Sequence, residues 1–399
     1  MTKHIAREKK KAIVFCYLIS LAPLVYAINA ITLPIIGETP IDTIMVYTSF
    51  LFLFANAFLP IIKSLNRYVY SILCFTSINI LIAIMLSQNP TIISDLKMDF
   101  FNVLMGAFFG LIVGASISDY KVLKTYLLKT TNILSILMII GFLINQYILQ
   151  IEWGTVKMPF SYMLLLATMG EFWNLKEKFS LYHLVFFIVN IFIQLIFGSR
   201  GPILVLFVFI VLTLLLQNKI NKTKMIRSVF AILIMLLGVV GLLDYQNLLL
   251  IEDVSANFGV TSKTVSYLLI DDILYDNGRD ILSEQAIELI QESPAIGYGM
   301  FSDRYKLGTY THNIVTELFV DFGIVIGMII FVFIVYLILK GLFFYDFAAR
   351  EITAYFLSIG FVKLFFSSSF WEELHFWILI GLCLSIATRQ KNDKLERKI

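Results

Sequence analysis

Twelve runs of apolar residues, each near the roughly 20 residues that a helix needs to cross a bilayer, dictate what this chain folds into. They fall at about 12–31, 43–62, 68–87, 99–118, 124–149, 159–174, 180–197, 201–217, 225–243, 313–339, 350–367 and 370–388. The sixth run is short and carries Glu171, so it is the least regular of the set. With 59% hydrophobic residues, 15% charged residues and a mean hydropathy of +0.85, the chain holds more apolar surface than a soluble domain can hide. The expected fold class is therefore an all-α polytopic membrane protein with about 12 transmembrane helices. A net charge of +3 points to no nucleic-acid partner. Cys16, Cys74 and Cys383 all lie within apolar runs and read as small core residues. The first run follows a basic start and resembles a signal peptide, but its length and the spans after it favour a retained first helix.

Basic residues orient the spans. Of the 31 Lys and Arg, 23 fall on one side, among them the N-terminal cluster, the Lys219–Arg227 group and the tail from Arg389 to Lys398. Seven fall on the other: Lys97, Lys157, Arg200, Lys263, Arg279, Arg304 and Lys306. The asymmetry places both termini in the cytoplasm, which suits an even number of spans. Residues 1–243 then hold the first nine spans and 244–312 form one large outer loop. Residues 313–388 hold the last three spans, and 389–399 form a cytoplasmic tail. The cytoplasmic loops are too short for a nucleotide-binding domain and carry no P-loop pattern. Chemistry on the outer face must use a substrate that is already activated.

Arg200 stands in Gly198-Ser199-Arg200-Gly201-Pro202, a break between two apolar runs, on the outer face. Ser199 suits the cap of the following helix and Pro202 its first turn. An Arg beside an outward helix N-terminus is an anion site in waiting; the alternative is a snorkelling Arg in a tight hairpin. In the outer loop, one helix is expected through Val265, Leu268, Leu269 and Ile273. A second starts near Asn277 or Asp280 and ends at Pro294. Arg279 sits at the start of the second, where a cation opposes the helix dipole, so it is either held there for an anion or is a solvated surface residue.

After Pro294, Gly297-Tyr298-Gly299 allow an irregular turn and close backbone approach. Tyr298, Phe301, Tyr305 and Tyr310 could stack on sugar faces or form an interfacial aromatic belt. Asn313, Glu317 and Asp321 share one face of the tenth span, and Lys363 in the next span is a potential partner for the two acids. That cluster reads either as a structural ion pair or as part of a catalytic cavity. His312, at the membrane edge beside the loop glycines, could accept a proton from a sugar hydroxyl or be structural.

Two stretches together resemble the O-antigen polymerase and ligase superfamily of bacterial inner membranes. One is the Gly198-Ser199-Arg200-Gly201 hairpin with its apolar helix. The other is the Gly297-Tyr298-Gly299 turn, then His312-Asn313, then Gly323. Gly327 stands one residue further along than the second glycine of the family's usual spaced pair. The resemblance implies a C-type glycosyltransferase fold with one large helical periplasmic loop. It also implies glycosyl transfer from an undecaprenyl-diphosphate carrier, with diphosphate as leaving group and neither cofactor nor metal. Polymerisation of lipid-linked oligosaccharide repeats into O-antigen or capsular polysaccharide is the expected activity, with a possible chain-length regulator as partner. Transfer of finished polymer to lipid A-core, as by a ligase, needs the same donor site. On this resemblance His312, Arg200 and Arg279 are the expected catalytic groups. Arg304, Asn313, Tyr298, Gly299, Glu317 and Lys363 are expected to contact the substrate. A flippase or other transporter is the rival of a different class; it should place polar groups near the midplane and show repeated halves, and neither is visible. A scaffold that only contacts other assembly proteins is a third.

Overall fold

The computed structural model describes residues 2–36, 67–86, 97–148, 157–197, 200–216, 245–257, 279–344 and 346–396, with positions 44, 48, 265 and 269 besides. No strand occurs among the described residues. That is the outcome lipid demands of open segments, because only a helix satisfies all its backbone groups within itself. The helices are α1 (Thr2–Ile36), α2 (Arg67–Leu86), α3 (Lys97–Val103), α4 (Gly110–Ser116), α5 (Tyr120–Tyr147), α6 (Lys157–Glu177) and α7 (Leu181–Phe197). They continue with α8 (Arg200–Leu215), α9 (Tyr245–Asn257), α10 (Arg279–Glu292), α11 (Ser302–Leu307), α12 (Ile314–Leu342), α13 (Phe347–Phe356) and α14 (Leu374–Glu396).

Three stretches, Ile5–Ala30, Tyr120–Tyr147 and Ile314–Leu342, are long and apolar enough to cross a membrane, and five shorter apolar helices accompany them among the described residues. The expected spans at 43–62 and 225–243 lie outside the described residues. Two expected spans contain π-helical stretches. A π-helical stretch, Leu104–Phe109, separates α3 from α4. After α13 a second π-helical stretch, Leu357–Phe361, runs into a 3-10 turn, Val362–Phe365. In the expected loop, α10 starts and ends where the sequence places it. Of the first expected loop helix only Val265 and Leu269 are described, both helical. The earlier helix α9 carries no such expectation.

The chain divides into two compact units. The first comprises Met1–Phe15, Phe54–Val122 and Asp276–Ile399. Its α4 packs on α14 through small residues, as helices in lipid do when no hydrophobic drive favours their association. A Cβ on Gly110 would lie 2.9 Å from the Leu374 carbonyl oxygen, and one on Gly114 would strike that of Ile378. The basic N-terminus is tied to the same unit. Lys11 donates to the Ser116 carbonyl at 2.8 Å and pairs with Glu8, which accepts from the amides of Ser118 and Asp119.

The second unit comprises Cys16–Leu53 and Leu123–Tyr275. Its core gathers Met138, Phe142, Phe160, Leu164, Ile193, Ile196 and Phe197. Beside it runs a polar layer. Gln194 donates to Thr168 at 2.7 Å, Asn190 to Ser135 at 2.8 Å, and Glu171 meets His183 Nδ1 at 2.6 Å. Glu171 is fully buried, and its pairing explains how a carboxylate is accommodated in the short sixth span, which extends as α6 to Glu177. Cys16 and Cys383 are buried as expected, whereas Cys74 is exposed, a correction to its reading as a core residue.

Candidate functional site

The site is assembled in the first unit, where α12 is broken. Gly323 adopts φ 73, ψ 170 inside the helix, which interrupts the hydrogen-bond ladder. The turn after α10 fills the break. Tyr298 N donates to the Val320 carbonyl at 2.9 Å and Gly299 N to that of Asp321 at 2.8 Å. In return Ile324 N donates to the Pro294 carbonyl at 2.8 Å. These bonds satisfy groups that would otherwise be stranded away from water. The two backbones touch: a Cβ on Gly297 would lie 2.5 Å from Gly323 N, and one on Gly323 2.5 Å from the Ala295 carbonyl carbon. Gly297 and Gly299 have φ 71 and 89, the left-handed values that favour glycine.

From this seat the chain enters α11, whose Arg304 is the centre of a buried ionic cluster. Its Nε lies 3.2 Å from Asp99, Nη1 3.3 Å from Asp303 and 3.7 Å from Glu317, and Nη2 2.6 Å from Glu372. The guanidinium also lies over the rings of Phe301 and Tyr310, with centroids at 4.6 and 5.5 Å. The surrounding acids raise the Arg304 pKa further, although burial alone would lower it. Asp303, wholly buried, accepts from Arg304 N at 2.8 Å and from Thr311 N at 3.2 Å, closing the loop that leads to His312.

Three of the expected catalytic and substrate residues meet at one place. His312 is held at φ 58, immediately before α12. Asn313 caps that helix, accepting from Val315 N at 2.9 Å, and its amide donates to the Phe365 carbonyl at 3.5 Å. Arg279, at the first residue of α10, donates to the next carbonyl, Phe366, at 2.9 Å. Both carbonyls belong to the irregular end of the α13 run, where the helix stops and frees them. The Tyr310 ring packs against His312 with centroids 4.2 Å apart. Burial, and then the charge of Arg279, push the His312 pKa down to about 4. His312 is thus neutral at physiological pH and able to take a proton; its Nδ1 has no hydrogen-bond partner among the described residues.

Several expectations are corrected. Lys363 does not pair with Glu317 or Asp321. It pairs with Glu373, which also holds His375 Nδ1 at 2.8 Å. Glu317 instead accepts from the Ser369 hydroxyl and from Phe370 N at 3.1 Å and faces Arg304. Asp321 accepts from Trp371 Nε1 at 2.6 Å and from the Ser302 hydroxyl at 2.9 Å. Both acids are buried, so the face they share with Asn313 is a wall of packed partners and Glu317 is not open to substrate. The guanidinium of Arg304 is engaged by carboxylates at Nε, Nη1 and Nη2. The Tyr298 hydroxyl donates to Glu292 at 2.8 Å, and Lys306 sits 3.8 Å over its ring. Phe301 is buried beneath Arg304 and unavailable for stacking on a sugar, whereas Tyr305 is exposed.

Arg200 belongs to the second unit, where it opens α8 and is exposed, with Pro202 in the first helical turn as expected. Gly198 and Ser199 lie outside the described residues.

Asp99, Asp303, Glu372, Ser369 and Trp371 escaped sequence reasoning. One signal was available: Glu372 and Glu373 open an apolar run, and acids at a membrane segment demand partners.

The helices and the site are those of an all-helical membrane protein that presents a neutral histidine beside an arginine at the end of an apolar helix. Residues 185–332 match a protein-family model described as O-antigen ligase, in line with the resemblance that the sequence motifs carry. The matched stretch contains Arg200, Arg279, Arg304, His312, Asn313 and Gly323. No curated protein matches the chain.

Proposed function

We propose that the protein polymerises undecaprenyl-diphosphate-linked oligosaccharide repeat units into O-antigen or capsular polysaccharide on the outer face of the bacterial inner membrane. The observation that carries this is neutral His312 next to Asn313 and near Arg279, which donate to the consecutive Phe365 and Phe366 carbonyls, inside the stretch that matches the family model. In the reaction an acceptor hydroxyl attacks the anomeric carbon of the donor sugar, and the bond from that carbon to the diphosphate oxygen breaks. His312 takes the hydroxyl proton, and the lipid diphosphate leaves with the bonding pair. Arg279, held by the Phe366 carbonyl through one of its nitrogens, offers its remaining donors to the diphosphate. Arg200, in the second unit, opens a helix whose N-terminus favours an anion. Stabilising charge on the leaving group is the main electrostatic contribution to rate. Asn313 orients His312 by capping α12, and Tyr298 and Gly299 shape the docked turn rather than touch the sugar.

The donor and acceptor are both lipid-linked oligosaccharides, both chain termini face the cytoplasm, and a chain-length regulator is the expected protein partner. The family description, O-antigen ligase, favours a second reading in which finished polymer moves to lipid A-core. Purified protein in liposomes, given undecaprenyl-diphosphate repeat units without nucleotide sugar, tests both. A polymer ladder that disappears in His312→Ala and Arg279→Ala supports the polymerase. Transfer only after lipid A-core is added makes it a ligase. Translocation of the lipid with no new glycosidic bond refutes both.

A further inference from the structure

Arg304 is a buried cation surrounded by acids. It touches residues of three helices and one loop at once: Asp99 of α3, its neighbour Asp303 of α11, Glu317 of α12, and Glu372 in the loop before α14. Its side chain is 7% exposed. A planar guanidinium with five donors in a fixed fork can serve several carboxylates at once, and a lysine ammonium cannot reproduce that geometry. Two contacts connect this centre to His312. Through the backbone, Asp303 accepts from Thr311 N, the residue before His312. Through side chains, the Tyr310 ring lies between the Arg304 guanidinium, 5.5 Å away, and the His312 ring, 4.2 Å away. The histidine needs such support, because φ 58 is a conformation that residues other than glycine adopt only when their surroundings impose it.

We propose that Arg304 is a positioning residue: gripped by Asp99, Asp303, Glu317 and Glu372, it fixes the Ser302–Thr311 segment so that Tyr310 holds His312 beside Arg279. It touches neither donor nor acceptor. This rests on the reading of His312 and Arg279 as the reacting groups, and it replaces the expectation that Arg304 binds the diphosphate.

The test compares Arg304→Lys, Tyr310→Ala, Tyr310→Phe and His312→Ala in liposomes with lipid-linked repeat units. Lysine keeps the charge among the acids but not the fork, and the Tyr310 pair leaves the ionic cluster whole should Arg304→Lys fail to accumulate. Misplacement of a reacting group by about 1 Å lowers rate by roughly a hundredfold, so Arg304→Lys and Tyr310→Ala should lose about that much kcat while KM stays near wild type. Tyr310→Phe keeps the ring and should recover most of the kcat that Tyr310→Ala loses. In the impaired variants the acid limb of the pH–rate profile should move up from about 4 toward the ordinary histidine value, as His312 leaves its buried seat near Arg279. A merely structural loss of active protein would leave that limb in place.

A raised KM with wild-type kcat in Arg304→Lys would show Arg304 to be a substrate ligand and overturn the proposal. Wild-type kcat and an unmoved acid limb in both Arg304→Lys and Tyr310→Ala, with His312→Ala inactive, would overturn it and leave the reacting pair standing. Wild-type kcat in His312→Ala would instead remove the reacting pair, and the positioning role with it.

Discussion

The titration of His312 is the most direct test of the site, because it is visible without turnover. The chain contains four histidines, His4, His183, His312 and His375, so imidazole resonances in a nitrogen-15-labelled sample can be assigned by single substitutions. Burial, followed by the positive charge of Arg279, holds His312 at about 4. At pH 5 a group with that value is about 90% neutral, whereas an ordinary histidine titrating near 6.5 is about 3% neutral. The wild-type resonance should therefore keep its neutral signature at pH 5. Replacing Arg279 with Gln removes the second cause and leaves burial in place, so the titration should rise only part of the way toward 6.5. Stability follows the same sign. Between about 6.5 and 4 the unfolded chain binds a proton at this position and the folded chain does not. The contribution is therefore fully present above 6.5 and is lost as pH falls to about 4. A wild-type titration near 6.5, or one that Arg279→Gln leaves unchanged or moves down, would refute the placing of His312 in a buried seat beside Arg279.

Other outcomes follow from the packing. Gly323→Ala should lower thermal stability in detergent, because φ 73 costs a side-chain residue about 1–3 kcal/mol and its Cβ would strike the Ala295 carbonyl carbon. An unchanged unfolding temperature would show that the turn does not dock on the α12 break. Gly114→Val should reduce the amount of folded protein, since the Ile378 carbonyl already occupies the space of a Cβ; recovery equal to wild type by size-exclusion chromatography would contradict the contact. Glu171→Ala should destabilise by roughly 3–5 kcal/mol by breaking a buried pair, and Glu171→Gln should cost less because it keeps a hydrogen bond to His183. Equal unfolding temperatures for the two variants would argue against the pair. Arg200→Ala should abolish long polymer on gels while the protein stays in the membrane fraction, and normal polymer length would remove Arg200 from the mechanism.

Helical spans were legible in the sequence because lipid leaves an open backbone no alternative to the helix. Runs such as Tyr120–Tyr147 and Ile314–Leu342 therefore appear as helices close to their expected limits. The candidate site was legible in part. Gly297, Gly299 and Gly323 announced unusual backbone, His312 and Asn313 marked the start of a helix, and Glu171 required a partner that the sequence did not name. What the sequence withheld was which charges meet. The shared face of Glu317 and Asp321 follows from helical period, but a period says nothing about the neighbour, so Lys363 looked like their partner. Packing brings it to Glu373 instead and gives Glu317 to Arg304. Arg304 reaches Asp99 across 205 residues of chain, a contact that no local pattern encodes. Two helix ends were likewise beyond sequence reasoning: the π and 3-10 turns after Phe356 free the Phe365 and Phe366 carbonyls that seat Asn313 and Arg279. The sequence by itself thus determined which of the described segments are helical and where the backbone turns at glycine, because solvent and backbone sterics act locally. Only the tertiary structure decided which charges meet, Arg304 with four acids and Arg279 with the Phe366 carbonyl, because pairing energy depends on distances that folding alone creates.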